Sequence, residues 1–426
     1  MSCTVAVDEL SVGMYIHLDG GWLSHPFALS SFRISSAEQI ATLRGLGLSR
    51  VRWAPEKSDP SPTSSGGGVE VGEAGSDPGA EPQVDATAAA PAAQRRRQLV
   101  AQREALRRCE RQHGEAALAW REAGEALAVQ PQQAGRTAQA LAQALLAKML
   151  VSDEVGLRLV GGGNDRAAAH ALNVGVVSLL VGRALGLSGN ELLDLGVGAL
   201  MHDVGKQDVA ERYRHADEDH GPAETAIYRE HVARGLAHGH RMALSPGALT
   251  VLAQHHEHAD GSGFPLRLAG EQMSLAARIV AVVNRFDNLC NPASHAMAMT
   301  PHEAVATLFA QGRSCLDTAA LNAFIRVVGV YPAGSLVQLT DERYALVVAV
   351  NSSRPLKPRV LVHDPSAPRD EALVIDLERA GDLGIRRSLP AARMPAPALA
   401  YLDPQPRVSY YFEPLVRAAE AQELAA

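Results

Sequence analysis

The chain is poor in cysteine: Cys3, Cys109, Cys290 and Cys315 are the only four in 426 residues. They lie far apart and form no CxxC pair, so a thiolate metal site is excluded and free thiols in a reducing cytoplasm are expected. No run reaches eighteen apolar residues, and the opening residues Met1 to Leu10 have neither a basic flank nor an apolar core. Neither a membrane span nor a signal peptide is therefore expected. A positive balance is missing too. The formal charge is −7, which argues against DNA or an anionic membrane as a general partner and requires any anion site to be locally positive. No GxSxG, no credible Cys–His pairing and no P-loop occurs, and no receiver, kinase or PAS pattern is apparent.

What is present divides by composition. Residues 1–55 mix short apolar runs (VAV, GMYIHL, SRVRW) with a helical SSAEQIATLRGLGL pattern that Ser36 can cap; a small N-terminal α/β module is expected. Residues 56–94 turn to Pro, Ser, Gly, Ala and acid, too poor in large apolar side chains to offset the entropy of ordering, and are expected to be a disordered linker. Residues 95–135 are rich in strong helix formers and are read as a helical arm, with Pro131 splitting the helical stretch. From 136 to 330 the apolar spacing is helical throughout, notably in Ala167 to Leu185, Glu191 to Met201, Pro246 to His256 and Leu275 to Leu289, which predicts a central all-α domain. After Tyr331 the runs SLVQLT, YALVVAV, RVLVHD and ALVIDL predict a small β-rich C-terminal module, with an extended Pro-rich tail. The fold class is multidomain.

The chemistry lies in the helical part. His202 and Asp203 follow the apolar run LGVGALM directly. Burying an imidazole and a carboxylate together is costly unless something pairs with both, and a metal ion does so. His255 and His256 close another apolar helix, and adjacent helical positions fan apart by about 100°, so the pair can face two metals across one cleft. His170 and His231 sit on separate helices, and several helices converge on one cluster in helix-bundle metal sites. A lone histidine among the sixteen is usually an ordinary surface or core residue; the HD pair, the HH pair and the single histidines between and before them are hard to explain as packing. Mixed nitrogen and oxygen donors suit Fe, Mn, Co or Zn. Lys206, three residues after Asp203, is placed to meet a phosphate oxygen, although a lysine near Gly205 can equally cap a helix end. Asp260-Gly-Ser-Gly-Phe-Pro265 makes a shaped loop after the HH pair, suited to set backbone N–H groups and the Phe264 ring beside a nucleotide.

GALMHDVGK (198–206), HHEHADGSGFP (255–265) and ARIVAVVNRFDNL (277–289) together resemble the HD-GYP family of metal-dependent phosphohydrolases, whose patterns run LLHDIGK, HHExxDGxGYP and ARIxxVADxYDAL. The opening VDELSVGMYIHLDGGWLSHPFALSSF resembles a small domain of unknown function that often precedes them, and GVYPAGSLVQLTD (329–341) resembles the extension that follows. The resemblance implies hydrolysis of cyclic di-GMP to pGpG and/or GMP by two divalent ions, Fe or Mn, through a bridging hydroxide that attacks phosphorus in line. It implies His170, His202, Asp203, His231, His255, His256 and the residue at Asn284 as ligands, Asp203 as the bridge, Lys206 near the scissile phosphate, and Gly261, Gly263, Phe264 and Pro265 as the substrate loop. Three departures stand out. Asn284 replaces an aspartate, so its carbonyl oxygen brings no charge. Arg166 replaces the glutamate of three-metal members, which implies two ions here. The basic RPYR-like element after Leu289 is replaced by CNPASHAM. Two alternatives to the phosphodiesterase remain open: a degenerate module that binds the nucleotide and signals, and a phosphohydrolase of the same fold with another nucleotide. A protein partner is left open through the N-terminal module or the helical arm.

Overall fold

A computed structural model describes residues 3–18, 31–34, 36–45, 48–58, 86–150, 154–161, 163, 165–215, 220–351 and 354–414. The chain forms two compact units, Met1–Ala101 and Gln102–Ala426. In the first, β1 (Cys3–Ala6), β2 (Tyr15–His17), β3 (Ser31–Arg33) and β4 (Arg50–Trp53) form an antiparallel sheet in the order β1-β4-β2-β3, with helix α1 at Ala37–Gly45. Val5, Ile16, Ile34, Leu43 and Val51 form its core. Ser36 Oγ accepts from Gln39 N at 3.3 Å, the expected cap.

Of the linker expected at 56–94, residues 59–85 lie outside the described residues. From Ala86 the backbone is already helical: α2 runs Ala86–Ala126, starting inside the stretch read as linker. The physical reason is that its alanine-rich composition also has the highest intrinsic helix propensity. Helix α3 (Pro131–Leu150) begins on Pro131, where a first-turn proline loses no hydrogen bond.

In the second unit a helical body follows: α4 (Arg166–Ala184), α5 (Gly189–Met201), α6 (Pro222–Arg241), α7 (Pro246–Gln254), α8 (Leu275–Cys290), α9 (Pro301–Gln311) and α10 (Thr318–Val328). Their starts are written in the sequence. Asp165, Ser245, Ser274, Thr300 and Asp317 each accept a backbone N–H from the first turn. Helix α4 is long and apolar enough to cross a membrane, but most of it is buried inside the unit, which makes it the core helix.

The sheet of this unit corrects two expectations. Strands β6 (Leu336–Leu339), β7 (Tyr344–Asn351), β8 (Arg359–Val362) and β9 (Val374–Asp376) fall on the four predicted runs, and β10 (Ile385–Ser388) follows. Yet they do not form a separate module. Strand β5 (Val155–Val160), from within the stretch expected to be all-helical, pairs with β7 on one side. On the other it pairs with β11 (Ser409–Pro414), in register from Ser409↔Val160 to Pro414↔Val155. The main order is β10-β6-β7-β5-β11. The tail expected to be extended contains helix α11 at Ala396–Leu402 before β11. The apolar faces of α11 (Ala398, Leu402) and the sheet (Leu336, Leu346) bury one another, which drives the coil to a helix.

Candidate metal centre

Four segments of the helical body deliver the predicted residues to one point. His170 lies in the second turn of α4. His202 and Asp203 follow α5, whose start carries a Ser188–Glu191 capping box. His231 is mid-way along α6. His255 and His256 stand in the turn after α7. The segment bearing Lys206 packs directly on α6: a Cβ at Gly205 would lie 2.0 Å from the His231 carbonyl oxygen, so only glycine admits this approach.

Asp203 is the centre. Its Oδ2 lies 3.4 Å from His170 Nε2 and 3.4 Å from His202 Nε2, while Oδ1 lies 3.6 Å from His231 Nε2 and 3.8 Å from His255 Nε2. Two groups with metal-ligating geometry result, His170–His202–Asp203 and Asp203–His231–His255–His256. The carboxylate belongs to both. His255 and His256 thus share one group rather than facing two, because they occupy a turn past Gln254 and not a continuing helix.

The donor set fits divalent metal on three counts. Asp203 Oδ1 is buried with no hydrogen-bond partner, a costly state for a carboxylate oxygen unless a cation takes its lone pairs. The Nε2 atoms of His170 and His202 stand 3.2 Å apart, and those of His231 and His255 stand 3.4 Å apart. In addition, His202, His231 and His255 turn Nδ1 to the carbonyl oxygens of Ala199, Tyr228 and Leu252 at 2.7, 2.5 and 2.9 Å. Donation from Nδ1–H fixes the tautomer and frees Nε2 for a metal. Burial pushes His231 down to about 4 and holds His255 and His256 well below the usual range, with neighbouring imidazoles adding to it; neutral imidazole is the ligating form.

His170 differs. Its Nδ1 meets Asp287 Oδ2 at 2.6 Å. Burial lowers its proton affinity, but hydrogen bonds to Asp203 and Asp287 outweigh this and bring it to about 9. Asp287 also accepts from Asn173 Nδ2 at 2.7 Å and Asn291 Nδ2 at 2.9 Å, both on Oδ1. Burial opposes ionisation of Asp203, yet Lys206 and the facing histidines hold its carboxyl well below the usual carboxylate range. Lys206 Nζ donates to Asp203 Oδ2 at 2.6 Å.

The remaining predicted residues fall into two sets. Asn284 is buried beside the cleft, and its Oδ1 accepts from Asn288 Nδ2 at 2.7 Å. Phe264 stacks on the His256 ring at 4.5 Å between centroids and lines the cleft. Gly263 serves the loop itself, since a Cβ there would lie 2.5 Å or less from the backbone of His256 to His258. Gly261 adopts a φ of +76°, and Pro265 is exposed. The loop is tied down by buried Glu257, which accepts from Leu266 N at 2.6 Å and Leu268 N at 2.9 Å.

Sequence reading missed Tyr228, whose hydroxyl lies 3.3 Å from His256 Nε2, and the orienting roles of Asp287 and Asn173. Tyr228 stands three residues before His231, one turn away on the same helix face, which is the signal that would have found it.

Two cavities meet at the cluster, sharing Arg166, Lys206, His215 and Asn288. The larger, about 740 Å³, lies on the His170 side and also admits Arg214, Glu211 and Arg407. The smaller, about 230 Å³, lies over His255, His256, Phe264 and Asn284. The combined space suits a small-molecule ligand, and its cationic residues supply the local positive charge that an acidic chain needs for an anion.

Helices here converge on a carboxylate shared by two histidine groups, each of which could hold a divalent ion. Residues 128–320 match the HD domain family, which is divalent-metal dependent, and residues 2–138 match a domain of unknown function, DUF3391. The chain is thus similar to an HD domain over one stretch and to a DUF3391 domain over the stretch before it, the pairing that its motifs and opening residues led us to expect. The DUF3391 match runs well beyond the 1–55 module. Among relatives, a cyclic di-GMP phosphodiesterase of Pseudomonas aeruginosa is 27% identical over 392 residues, covering 88% of this chain and 89% of that protein. The cyclic di-GMP phosphodiesterase response regulator RpfG of Xanthomonas campestris pv. campestris is 34% identical over 35% of this chain and 40% of its own length. A 3′3′-cGAMP-specific phosphodiesterase of Vibrio cholerae is 25% identical over 41% of this chain and 38% of its own length.

Proposed function

We propose that the chain is a metal-dependent phosphodiesterase that hydrolyses cyclic di-GMP to pGpG and onward to GMP. The observation that carries this is Asp203, with one oxygen turned to each histidine group and Oδ1 otherwise unpartnered, at the floor of a cleft containing Lys206 and Arg166. The near full-length likeness to a cyclic di-GMP phosphodiesterase supports the substrate.

His170 and His202 would hold one ion, His231, His255 and His256 the other, and Asp203 both. Bound ions, with iron or manganese suited to such donors, supply Lewis acidity to a phosphoryl oxygen and acidify water. The chain's own residues do the rest. Asp287 orients His170. Phe264 and Tyr228 fix His256. Lys206, which donates to Asp203 Oδ2 and lines the cleft, would stabilise charge developing on the phosphoryl oxygens. His215, brought down to about 4 by burial and then by Arg166 and Lys206, is neutral at pH 7 and serves as a hydrogen-bonding wall, not as an acid.

A second reading, a nucleotide-binding module without turnover, is favoured by one observation: Asn284 brings no charge and its oxygen is held by Asn288. The deciding experiment incubates Mn²⁺- or Fe²⁺-loaded protein with cyclic di-GMP and separates the products. Turnover to pGpG that disappears in Asp203→Ala supports the enzyme. Binding without turnover, restored to turnover by Asn284→Asp, supports the second reading. A protein that neither binds nor cleaves cyclic di-GMP, but cleaves 3′3′-cGAMP, moves the substrate to another cyclic dinucleotide.

A further inference from the structure

The stretch that follows Leu289, CNPASHAM, contains no arginine or lysine, so a cationic wall for the substrate cannot come from there. The structure supplies one from the other end of the chain. Gln405, Pro406, Arg407, Val408 and Ser409 form a strap along the larger cavity, which Arg166 at the start of α4 also lines.

The strap is fixed at its base. Val408 N donates to Asn291 Oδ1 at 3.0 Å, and Val408 O accepts from Asn291 Nδ2 and Asn173 Nδ2, each at 3.0 Å. Tyr410 N donates to Asn173 Oδ1 at 2.8 Å, and β11 pairs along β5 from Ser409 onward. The same two asparagines hold Asp287, which orients His170. The strap is thereby registered to the metal-ligating cluster through one layer of side chains.

Three guanidiniums line this cavity with unequal engagement. Arg214 is tied to main-chain oxygens, donating to Val209 O at 2.9 Å and Gln207 O at 3.4 Å, which leaves Arg166 and Arg407 to compare. Arg166 is half-buried, near His215 Nε2 at 3.3 Å and donating to Asn291 O at 3.3 Å. Arg407 is exposed to the cavity, and no acidic partner is found for it among the described residues. Burial, and next the charge of Arg407, weaken the hold of Arg166 on its proton. Two like charges facing one cavity are relieved by an anion between them, and a guanidinium pair matches the oxygens of a phosphate.

We infer that Arg407 on the C-terminal strap and Arg166 together form the seat for the second, non-scissile phosphate of a cyclic dinucleotide. This rests on the phosphodiesterase reading and adds a specificity-determining residue from outside the helical body.

The test compares two substrates on the full-length, metal-loaded protein. Cyclic di-GMP carries two phosphates; bis(p-nitrophenyl) phosphate carries only the scissile one. In Arg407→Ala, KM for cyclic di-GMP is expected to rise about tenfold, the scale of one charge-assisted contact, with a clearly smaller change in kcat. The loss for bis(p-nitrophenyl) phosphate is expected to be several times smaller, and Arg407→Lys is expected to recover part of the affinity. Wild type that cleaves cyclic di-GMP with the same KM as Arg407→Ala and as the Arg166→Ala/Arg407→Ala double variant overturns the seat and leaves the enzyme standing. Wild type that cleaves the small diester but neither binds nor cleaves cyclic di-GMP overturns the substrate reading, and the seat with it.

Discussion

The two halves of the Asp203 cluster are built from the same kind of ligand but supported differently. On one side, His170 leans on a carboxylate, Asp287, which two asparagines hold in place. On the other, His231 and His255 lean only on main-chain carbonyls, and His256 on a phenol and a phenyl ring. A carboxylate behind an imidazole makes it a more basic ligand than a carbonyl does. The first half therefore has an anionic support, while the second relies on neutral groups and opens on the smaller cavity that Asn284, in place of an acid, also lines. The difference teaches that one substitution need not disable both halves equally. We expect the His170 side to hold its ion more tightly, and activity to be limited by filling the histidine-rich side.

Breaking the shared element gives the largest effect. Asp203→Asn is expected to lower turnover by a factor on the order of a thousand, because both halves lose their common anion; steady-state kinetics at saturating metal measures it. Next comes the support of one half. Asp287→Asn should weaken metal binding on the His170 side by about 10- to 100-fold and leave the histidine-rich side close to wild type, which competitive chelator titration would resolve; equal weakening of both would erase the distinction drawn above.

Asn284→Asp acts in the opposite direction. Restoring a carboxylate there should tighten the weaker ion by roughly tenfold, a modest share of the Coulomb energy of one added charge, and lower the Mn²⁺ concentration needed for half-maximal activity. If that concentration does not move, Asn284 is not part of the ligand environment.

The smallest effect separates the centre from its scaffold. Buried His113, on α2, has no partner for Nε2 and packs edge-on to Tyr411; burial brings it down to about 4. Its folded value lies below the unfolded one, so the unfolded chain binds more protons between pH 6.5 and pH 4. Stability is full above pH 6.5 and falls toward pH 4. His113→Gln is expected to flatten part of this fall, by no more than about 3 kcal/mol, in melting curves of metal-free protein, while the acid response of His231 remains.

How much of this was legible in the sequence follows from how local each signal is. His202, Asp203, His255 and His256 sit at the ends of apolar helices, where buried polar groups stand out, and their convergence on His170 and His231 was readable from those breaks and from the motif resemblance. The helix starts were equally legible, since Asp165, Ser245 and Ser274 cap within three residues. What stayed hidden is paired over long separations. Strand β5, VGLRLV, has its partners β7 and β11 about 190 and 250 residues away, and no local period announces them. Asp287 matches in sequence only the second aspartate of the family element, with no role attached; its support of His170 appears once α4 brings His170 and Asn173 against it. Arg407 belongs to a Pro-rich tail, and only the fold carries it to the cleft.

The central claim is that one carboxylate, Asp203, joins two metal-holding groups. Elemental analysis of anaerobically purified and iron- or manganese-loaded protein tests it most directly, with wild type and Asp203→Ala measured side by side and folding checked by circular dichroism. The account predicts two transition-metal ions per chain in wild type, one for each group around Asp203, and loss of most of both in the folded variant. A wild type that stays metal-free under every loading condition, or an Asp203→Ala protein that keeps the wild-type metal content, would contradict it.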